Sequence, residues 1–463
     1  MGKWQSQEIQ SAPLPVAVCD AVADREHPVF LDSGMQLGRF GDYSFVSCQP
    51  ALILRSWGRH IELVEGGSLR CFEADPFEVL DEQLASRRRE RIDTPVPLTG
   101  GAIGYLGYDL CRLLEVLPDD TVDDIGGAEM YLGFYDAVYG YDHRRQRAYL
   151  CGDVDSDSWA ALEEALGAPG DAEVSDGRTG RGLHCNFEPE PYRQAIARTI
   201  EYIAAGDIFQ ANISQRFDCE LLVEPWELYK RLRLVNPAPF AAYLGFEGIQ
   251  VVSASPERFM RVSGDRVQTR PIKGTRPRGA TEREDEALAE ELLASEKDRA
   301  ELLMIIDLER NDLGRVCRIG TVKVPDLMVL ESFPTVHHLV STVVGQLREE
   351  CSFVDLLRAG FPGGSITGAP KIRSMEIIEE MEPTRRGVYT GSIGYLSYDG
   401  EMDTSIVIRT VVVKAGRAYF QVGGGIVADS TPEAEYVETL DKGRALARAL
   451  DVEAEPPFCR DEH

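Results

Sequence analysis

Positive charge is scarce in these 463 residues: 49 Lys and Arg stand against 77 Asp and Glu, for a formal charge of −28. A nonspecific nucleic-acid binder needs a cationic surface to neutralise phosphates, and an anionic membrane surface asks for the same, so both partner classes are disfavoured. A small anionic metabolite stays compatible, because the local charge of a pocket can oppose the net field. Long apolar runs are missing too: none approaches 18 residues, which argues against a membrane span. The first twenty residues lack a basic stretch followed by an apolar one, so no secretory signal is expected. The ten cysteines are scattered without a CxxC pair, and the seven histidines show no HExxH or other zinc spacing. Reduced thiols in a cytoplasmic protein are the expectation.

What is present is ordinary globular composition, 43% apolar and 27% charged, at a length suited to two or three domain-sized units or one large composite. Residues 29–155 read as strand-rich: SFVSC, ALILRSW, HIELVE, YLGFYDAVYGYD and RAYLCGD set β-branched and aromatic residues between Gly, Asp and Pro breaks. A short Ala/Leu helix is expected over 156–166. The polar, small-residue run after it predicts a linker over 167–186 between an N-terminal region, 1–166, and a catalytic region, 187–452, with a tail over 453–463. Beyond the linker, PEPYRQAIARTIEYIAAGD opens on prolines and closes at Gly206, as a capped helix should. EDEALAEELLASEKDRAELLMIIDLERND reads as one long helical stretch, Ala369–Met381 as another helix, and a last helix runs from about Pro432 to Leu450 behind an N-cap at Ser430 or Thr431. GAIGYLGYD (101–109) and GSIGYLSYD (391–399) agree at seven of nine positions. They are either two similar hairpin strands or strands of both halves paired in one sheet system.

Glu435, Glu438 and Lys442 share a face of the last helix at i, i+3 and i+7, and Asp298 and Glu301 are three apart on the long helical stretch. Two helices presenting carboxylate pairs could form an all-oxygen site for a hard cation, best Mg²⁺; acidic pairs on solvated helix faces look the same in sequence. Gly423-Gly424-Gly425 follows an apolar strand and suggests an anion-binding nest of backbone N–H groups. FPGGSITGAPK (361–371) is a Gly-rich loop entering a helix N-terminus, without P-loop spacing. In RPIKGTRPRG (270–279), Lys273 sits beside an apolar residue, a setting that can lower an amine pKa and make it a nucleophile or base; a solvated basic loop is the plainer alternative.

Taken together, SASPERF (253–259), RPIKGTRPRG, KDRAELLMIIDLERNDLGRV (297–316), VHHLVS (336–341), FPGGSITGAPKIRSMEIIEEMEP (361–383), YTGSIGYLSYDG (389–400), DTSIVIRT (403–410) and GGGIVADSTPEAEYVETLDK (423–442) resemble the chorismate-utilising enzymes. The resemblance is strong over roughly 190–450 and weak over 29–155. It implies an α/β fold of α+β type: layered antiparallel sheets built from both sequence halves, helices packed outside, and the active site in a cleft. It implies direct Mg²⁺ ligation by Glu301 and Glu438, with Asp298 and Glu435 holding the ion through water. Gly274, Thr275 and Lys442 match contacts to the ring carboxylate of chorismate. Tyr389, Arg409 and Gly423–Gly425 match the clamp on the enolpyruvyl carboxylate. Glu257 matches the general acid for the departing 4-hydroxyl, and His338 the ring-facing histidine, with His337 structural.

Two positions select a branch of the family. The 4-aminating members carry PIKGT where the anthranilate-forming members typically carry PIAGT, and Lys273 gives this chain the former. A lysine attacking C2 directs ammonia to C4. Gln210 stands where isochorismate- and salicylate-forming members carry a lysine base, which speaks against hydration at C2. The resemblance therefore implies conversion of chorismate and ammonia to 4-amino-4-deoxychorismate, on the route to p-aminobenzoate and folate, with anthranilate formation as the alternative. A noncatalytic binding subunit of the same fold is the alternative from another class. No GxCxG nucleophile elbow is present, so ammonia is expected from a separate glutaminase subunit, and pyruvate elimination from another enzyme. Ser33, Phe40 and Tyr43 are the nearest matches to the residues with which relatives bind tryptophan; an ordinary buried hairpin is the plainer reading.

Overall fold

The computed structural model describes residues 3–34, 41–174, 177–332 and 336–458. Two antiparallel sheets form the interior. The first runs, in spatial order, Trp4–Ile9, Arg147–Asp153, Ala137–Asp142, Tyr43–Ser47, Val29–Asp32, Phe240–Phe246, Ile249–Ser255, Thr410–Lys414, Arg417–Ile426, Gln210–Leu221 and Gly180–Cys185, with the short Gly368–Ala369 on Gln210–Leu221. The second runs Ile272–Pro277, Val336–Gln346, Arg266–Thr269, Arg258–Ser263, Glu401–Ile406, Ser392–Ser397, Gly101–Leu106, Met130–Tyr135, Leu52–Trp57, His60–Glu65 and Ser68–Glu73, with Lys323–Ser332 on Val336–Gln346.

Three apolar layers explain this arrangement. Between the sheets, Phe45, Val138, Ala242 and Val251 of the first meet Ile53, Ile103, Tyr131 and Ile393 of the second. Outside the first sheet, helices Pro15–Val22, Asp157–Gly167, Pro225–Val235 and Pro432–Ala449 bury Val18, Leu162, Leu228 and Leu446 against Phe30, Tyr139 and Phe420. Outside the second, helices Pro76–Ser86, Glu296–Gly314 and Phe353–Gly360 bury Leu80, Ile306 and Leu357 against Leu54, Leu132 and Val262. A strand covered on both faces is buried at every position, which is why Met130–Tyr135 and Ala137–Asp142 show no polar alternation and are rich in aromatic and aliphatic residues. This is the α/β architecture of layered antiparallel sheets expected from the sequence. Among the described residues no helix is long and apolar enough to cross a membrane.

The repeated motif pairs with itself. Strands Gly101–Leu106 and Ser392–Ser397 lie side by side in the second sheet, with Gly104 opposite Gly394. A Cβ at Gly104 would stand 2.1 Å from the Tyr131 carbonyl oxygen, and one at Gly394 2.1 Å from that of Asp403. The glycines thus permit close backbone approach on the two outer flanks of the pair. Gly104→Ala is expected to cost about 2–3 kcal/mol, seen as a lower urea midpoint at unchanged slope; an unchanged midpoint would show that the sheet yields locally.

Three expectations need correction. The long helical stretch is two helices, Glu282–Ala294 and Glu296–Gly314, because the Ser295 hydroxyl accepts the Asp298 N–H and restarts the chain as a new N-cap. The run 167–186 contains the strand Gly180–Cys185, an edge strand on Gln210–Leu221, half of whose residues are exposed, which gives it a linker's polarity. The three glycines 423–425 form no nest: they are extended, in the strand Arg417–Ile426, and pair with Asn212–Ser214.

Candidate active site

The site forms where the chain crosses between the sheets. Glu257 lies on the two-residue crossover from Ile249–Ser255 to Arg258–Ser263, and Arg409 on the return from Glu401–Ile406 to Thr410–Lys414. At Arg409 the backbone is left-handed, φ 54°, a conformation costly for a side-chain-bearing residue. Both side chains line a cleft of about 800 Å³ closed by the N-terminal turns of helices Glu296–Gly314 and Pro432–Ala449.

Into this cleft the fold brings Lys273, Gly274, Thr275, His338, Asp298, Glu301, Tyr389, Gly423, Gly425, Glu435, Glu438 and Lys442, residues spread over 170 positions of the chain. Gly424 lies in the same wall without lining the cavity; a Cβ there would meet Glu435 Oε2 at 3.0 Å and Glu438 Oε1 at 3.6 Å. The glycine strand therefore serves closeness. Gly425 leaves room for Gln210, whose Nε2 lies 1.9 Å from where a Cβ would be. Pairing with Thr410–Lys414 ends at Phe420, so the edge of the strand beyond it, Gln421 to Gly425, faces the cleft.

Lys273 extends its ammonium into this space and donates to the Ser365 carbonyl oxygen at 3.3 Å. Burial pushes its pKa below the usual 10.5, while Glu301 and Glu257 push the other way. Glu257, 7% exposed, is driven above 4.5 by burial, against the Ser365 hydroxyl and the Lys273 charge, which favour its ionised form. The shifts move toward each other, as a nucleophilic amine and a general acid require. His338 is pushed down to about 4 by burial, with Arg409 and His337 adding to it; its Nδ1 lies 2.9 Å from Thr275 Oγ1. A neutral imidazole therefore faces the cleft above that pH. His337 is buried between Ser332 and Asp285, at 2.7 and 3.0 Å. Burial raises Tyr389 and lowers Arg409.

Three of the acidic quartet face cations and the fourth a hydroxyl. Lys442 lies 2.7 Å from Glu438, Lys297 4.0 Å from Glu301 and Arg276 3.4 Å from Asp298; the Ser430 hydroxyl donates to Glu435 at 2.6 Å. Burial lifts Glu301 and Glu435, and neighbouring carboxylates add to it; at Glu438 burial is outweighed by Lys442, and its pKa falls. No three of the quartet bring ligand oxygens within 4.8 Å of one another. The donor set is still all carboxylate, converging from two helices on the wall that Gly424 leaves open, which fits a hard divalent ion that keeps water ligands.

Two contributors escaped the sequence. Ser365, in the loop read as an anion cradle, instead positions Lys273 through its carbonyl and Glu257 through its hydroxyl. Asn212, 8% exposed, turns an unpartnered Oδ1 toward the cleft wall. Ser33 and Tyr43 line a separate cavity of about 100 Å³ between the sheets, beside Asp32, Arg258 and Tyr395; Phe40 lies outside the described residues.

The chain resembles known proteins over nearly its whole length. The family model described as chorismate binding enzyme matches residues 37–448. Aminodeoxychorismate synthase component 1 of Escherichia coli (strain K12) is 43% identical, over 91% of this chain and 93% of its own. Anthranilate synthase component 1 of Thermus thermophilus is 42% identical, over 95% of each. The crystal structure of anthranilate synthase component I from Streptococcus pneumoniae superposes with a TM-score of 0.77 at 34% identity, covering 89% of this chain and 93% of that one. With a cleft that gathers the cations and carboxylates expected around a dianionic ring acid, and relatives of this closeness, the chain belongs to the chorismate-binding enzyme family.

Proposed function

We propose that the protein is the synthase component that converts chorismate and ammonia to 4-amino-4-deoxychorismate. Whole-chain similarity does not choose between the two activities named among its relatives, at 43% and 42% identity. The observation that carries the choice is Lys273, whose half-buried amine of lowered pKa lines the cleft with Glu257. In this reading Arg409 and Tyr389 hold the enolpyruvyl carboxylate, a task suited to a guanidinium fork. Gly274, Thr275 and Lys442 hold the ring carboxylate. The neutral Lys273 amine attacks C2, the ring double bonds shift, and the C4–O bond breaks as Glu257 delivers its proton, releasing water. Ammonia then bonds to C4, the double bonds return, and the C2–N bond breaks to free the lysine. His338 packs on the ring without a charge.

Glu301 and Glu438, with Asp298 and Glu435 behind them, are the proposed holders of Mg²⁺, which when bound would supply Lewis-acid charge at the ring carboxylate. The designation component 1 in the relatives' names fits a second subunit, proposed to be a glutaminase that supplies ammonia. With that product the proposed place is p-aminobenzoate and folate synthesis, and the proposed location the cytoplasm.

The assay is chorismate, Mg²⁺ and an ammonium salt at alkaline pH, with and without a lyase that removes pyruvate. p-Aminobenzoate appearing only with the lyase supports the proposal; fluorescent anthranilate from this chain alone sinks it. A second expectation concerns pH. Reaction needs Glu257 protonated and Lys273 deprotonated, the minority combination for ordinary carboxyl and amine groups, so converging pKa values enlarge the active fraction. The profile of kcat/KM, corrected for free ammonia, should be a bell with both limbs inside 4.5 to 10.5. A limb outside that interval would contradict the assignment.

A further inference from the structure

Far from the cleft, the hairpin of strands His60–Glu65 and Ser68–Glu73 forms one edge of the second sheet. His60 pairs with Glu73 and Glu62 with Cys71 across the ladder. Since residues two apart share a face, these four side chains form a partly exposed square on one face of the hairpin, while Ile61, Leu63 and Phe72 turn to the other face and pack into the layer under helix Pro76–Ser86. Ligand atoms of His60, Glu62 and Cys71 all lie within 4.8 Å of one another, and among the described residues no other His, Cys, Asp and Glu side chains do so in threes. His60 Nδ1 is 3.4 Å from Glu73 Oε1, and His60 Nε2 3.8 Å from Glu62 Oε1. The other oxygen of Glu62 is fixed by Arg55 at 2.5 Å, which orients the carboxylate toward the square as a supporting partner orients a metal ligand. Cys71 is an exposed free thiol, whereas the other described cysteines are buried or half-buried.

We infer that this hairpin face binds a thiophilic divalent ion of the zinc class, through Cys71 sulfur, a His60 nitrogen and a Glu62 oxygen, with Glu73 or water as the fourth ligand. An imidazole, a thiolate and a carboxylate match the mixed donor preference of such an ion and are poor partners for Mg²⁺. Tetrahedral ligands lie about 3.3–3.8 Å apart at zinc bond lengths, so rotamer adjustments of about 1 Å close the site. The thiol loses its proton to solvent as the metal–sulfur bond forms. No linear spacing announces the site, because its ligands alternate on two strands. The ion would staple an edge hairpin whose outer strand has a neighbour on one side only.

Cobalt(II) titration of the purified full chain, with Mg²⁺ in excess to occupy any hard-cation site, tests this. A thiolate-to-cobalt charge-transfer band should saturate at one equivalent with a dissociation constant at or below about 10 µM, vanish in Cys71→Ser and weaken at least about tenfold in His60→Ala. Zinc should compete the band away, and zinc added to the metal-free chain should release one proton per ion. Both variants lie outside the catalytic cleft and should keep the ammonia-dependent rate, which confirms their folding. A chain that shows no such band, or a band that persists in Cys71→Ser, overturns the inference.

Discussion

Lys273→Ala is expected to lower the rate of 4-amination by at least about 100-fold, the lower end of what a positioned catalytic group supplies, while chorismate affinity changes little. The amine acts on C2, and the groups proposed to hold the two carboxylates of the substrate, Arg409, Tyr389, Thr275 and Lys442, are separate from it in the cleft. The loss should therefore fall on kcat and not on substrate binding. The variant also opens a route closed to the wild type: with C2 no longer shielded by the lysine, ammonia reaches that carbon, and a fraction of the product becomes anthranilate. Trapping after denaturation should find a substrate-derived mass on the wild-type chain and none on the variant. Lys273→Arg separates nucleophile from charge, since a guanidinium keeps the cation but offers no free amine at accessible pH. An unchanged rate of 4-aminated product in Lys273→Ala refutes the nucleophile role outright.

Glu257→Gln should cost about 10²–10⁴ in kcat, the usual contribution of a general acid. The amide is nearly isosteric with the carboxylic acid and can accept from the Ser365 hydroxyl, so the crossover should stay folded. What is lost is the proton for the departing oxygen. The effect should therefore shrink for a chorismate analogue whose 4-substituent leaves without protonation, and the upper and lower limbs of the pH profile should no longer both appear. Equal losses with natural and activated substrates would assign Glu257 to positioning and not to proton transfer. His338, neutral above about pH 4, should behave differently: its replacement alters the rate and leaves the limbs of the profile in place.

Part of this site is legible residue by residue: Lys273 and the two acidic helix faces stand out by type and spacing, whereas Glu257 and Arg409 are picked out only by the resemblance to the family. Their convergence is less so. It depends on crossovers between two sheets at Glu257 and Arg409, and pairings such as Gly104 with Gly394 span hundreds of positions. The repeat GxIGYLxYD was visible as a repeat, but only register makes it a join between the halves. Ser365 was hidden because it serves Lys273 through a backbone carbonyl, 92 residues away, and backbone groups leave no mark on sequence. The glycines 423–425 look like a loop by composition; close approach by Gln210 and helix Pro432–Ala449 is what a strand of glycines provides. Ser295 followed three residues later by Asp298 is a helix-start signal, masked by the strong helix formers on both sides. The hairpin square of His60, Glu62, Cys71 and Glu73 is invisible in one dimension for the same reason as the cleft: strand pairing, not spacing, assembles it.

Negative charge sets the last problem. In the proposed function a chain of charge −28 receives a dianionic acid, and Lys273, Arg409 and Lys442 line the cleft where that acid would sit. The central claim is that Lys273 sends nitrogen to C4. The direct measurement is the position of label in the product formed from chorismate and ¹⁵N-ammonium by the purified chain, read by the coupling of ¹⁵N to ring protons before any lyase is added. Nitrogen on C4 in the wild type, with a share moving to C2 in Lys273→Ala, is the predicted result. Nitrogen on C2 in the wild type would contradict the account and make the chain an anthranilate-forming enzyme.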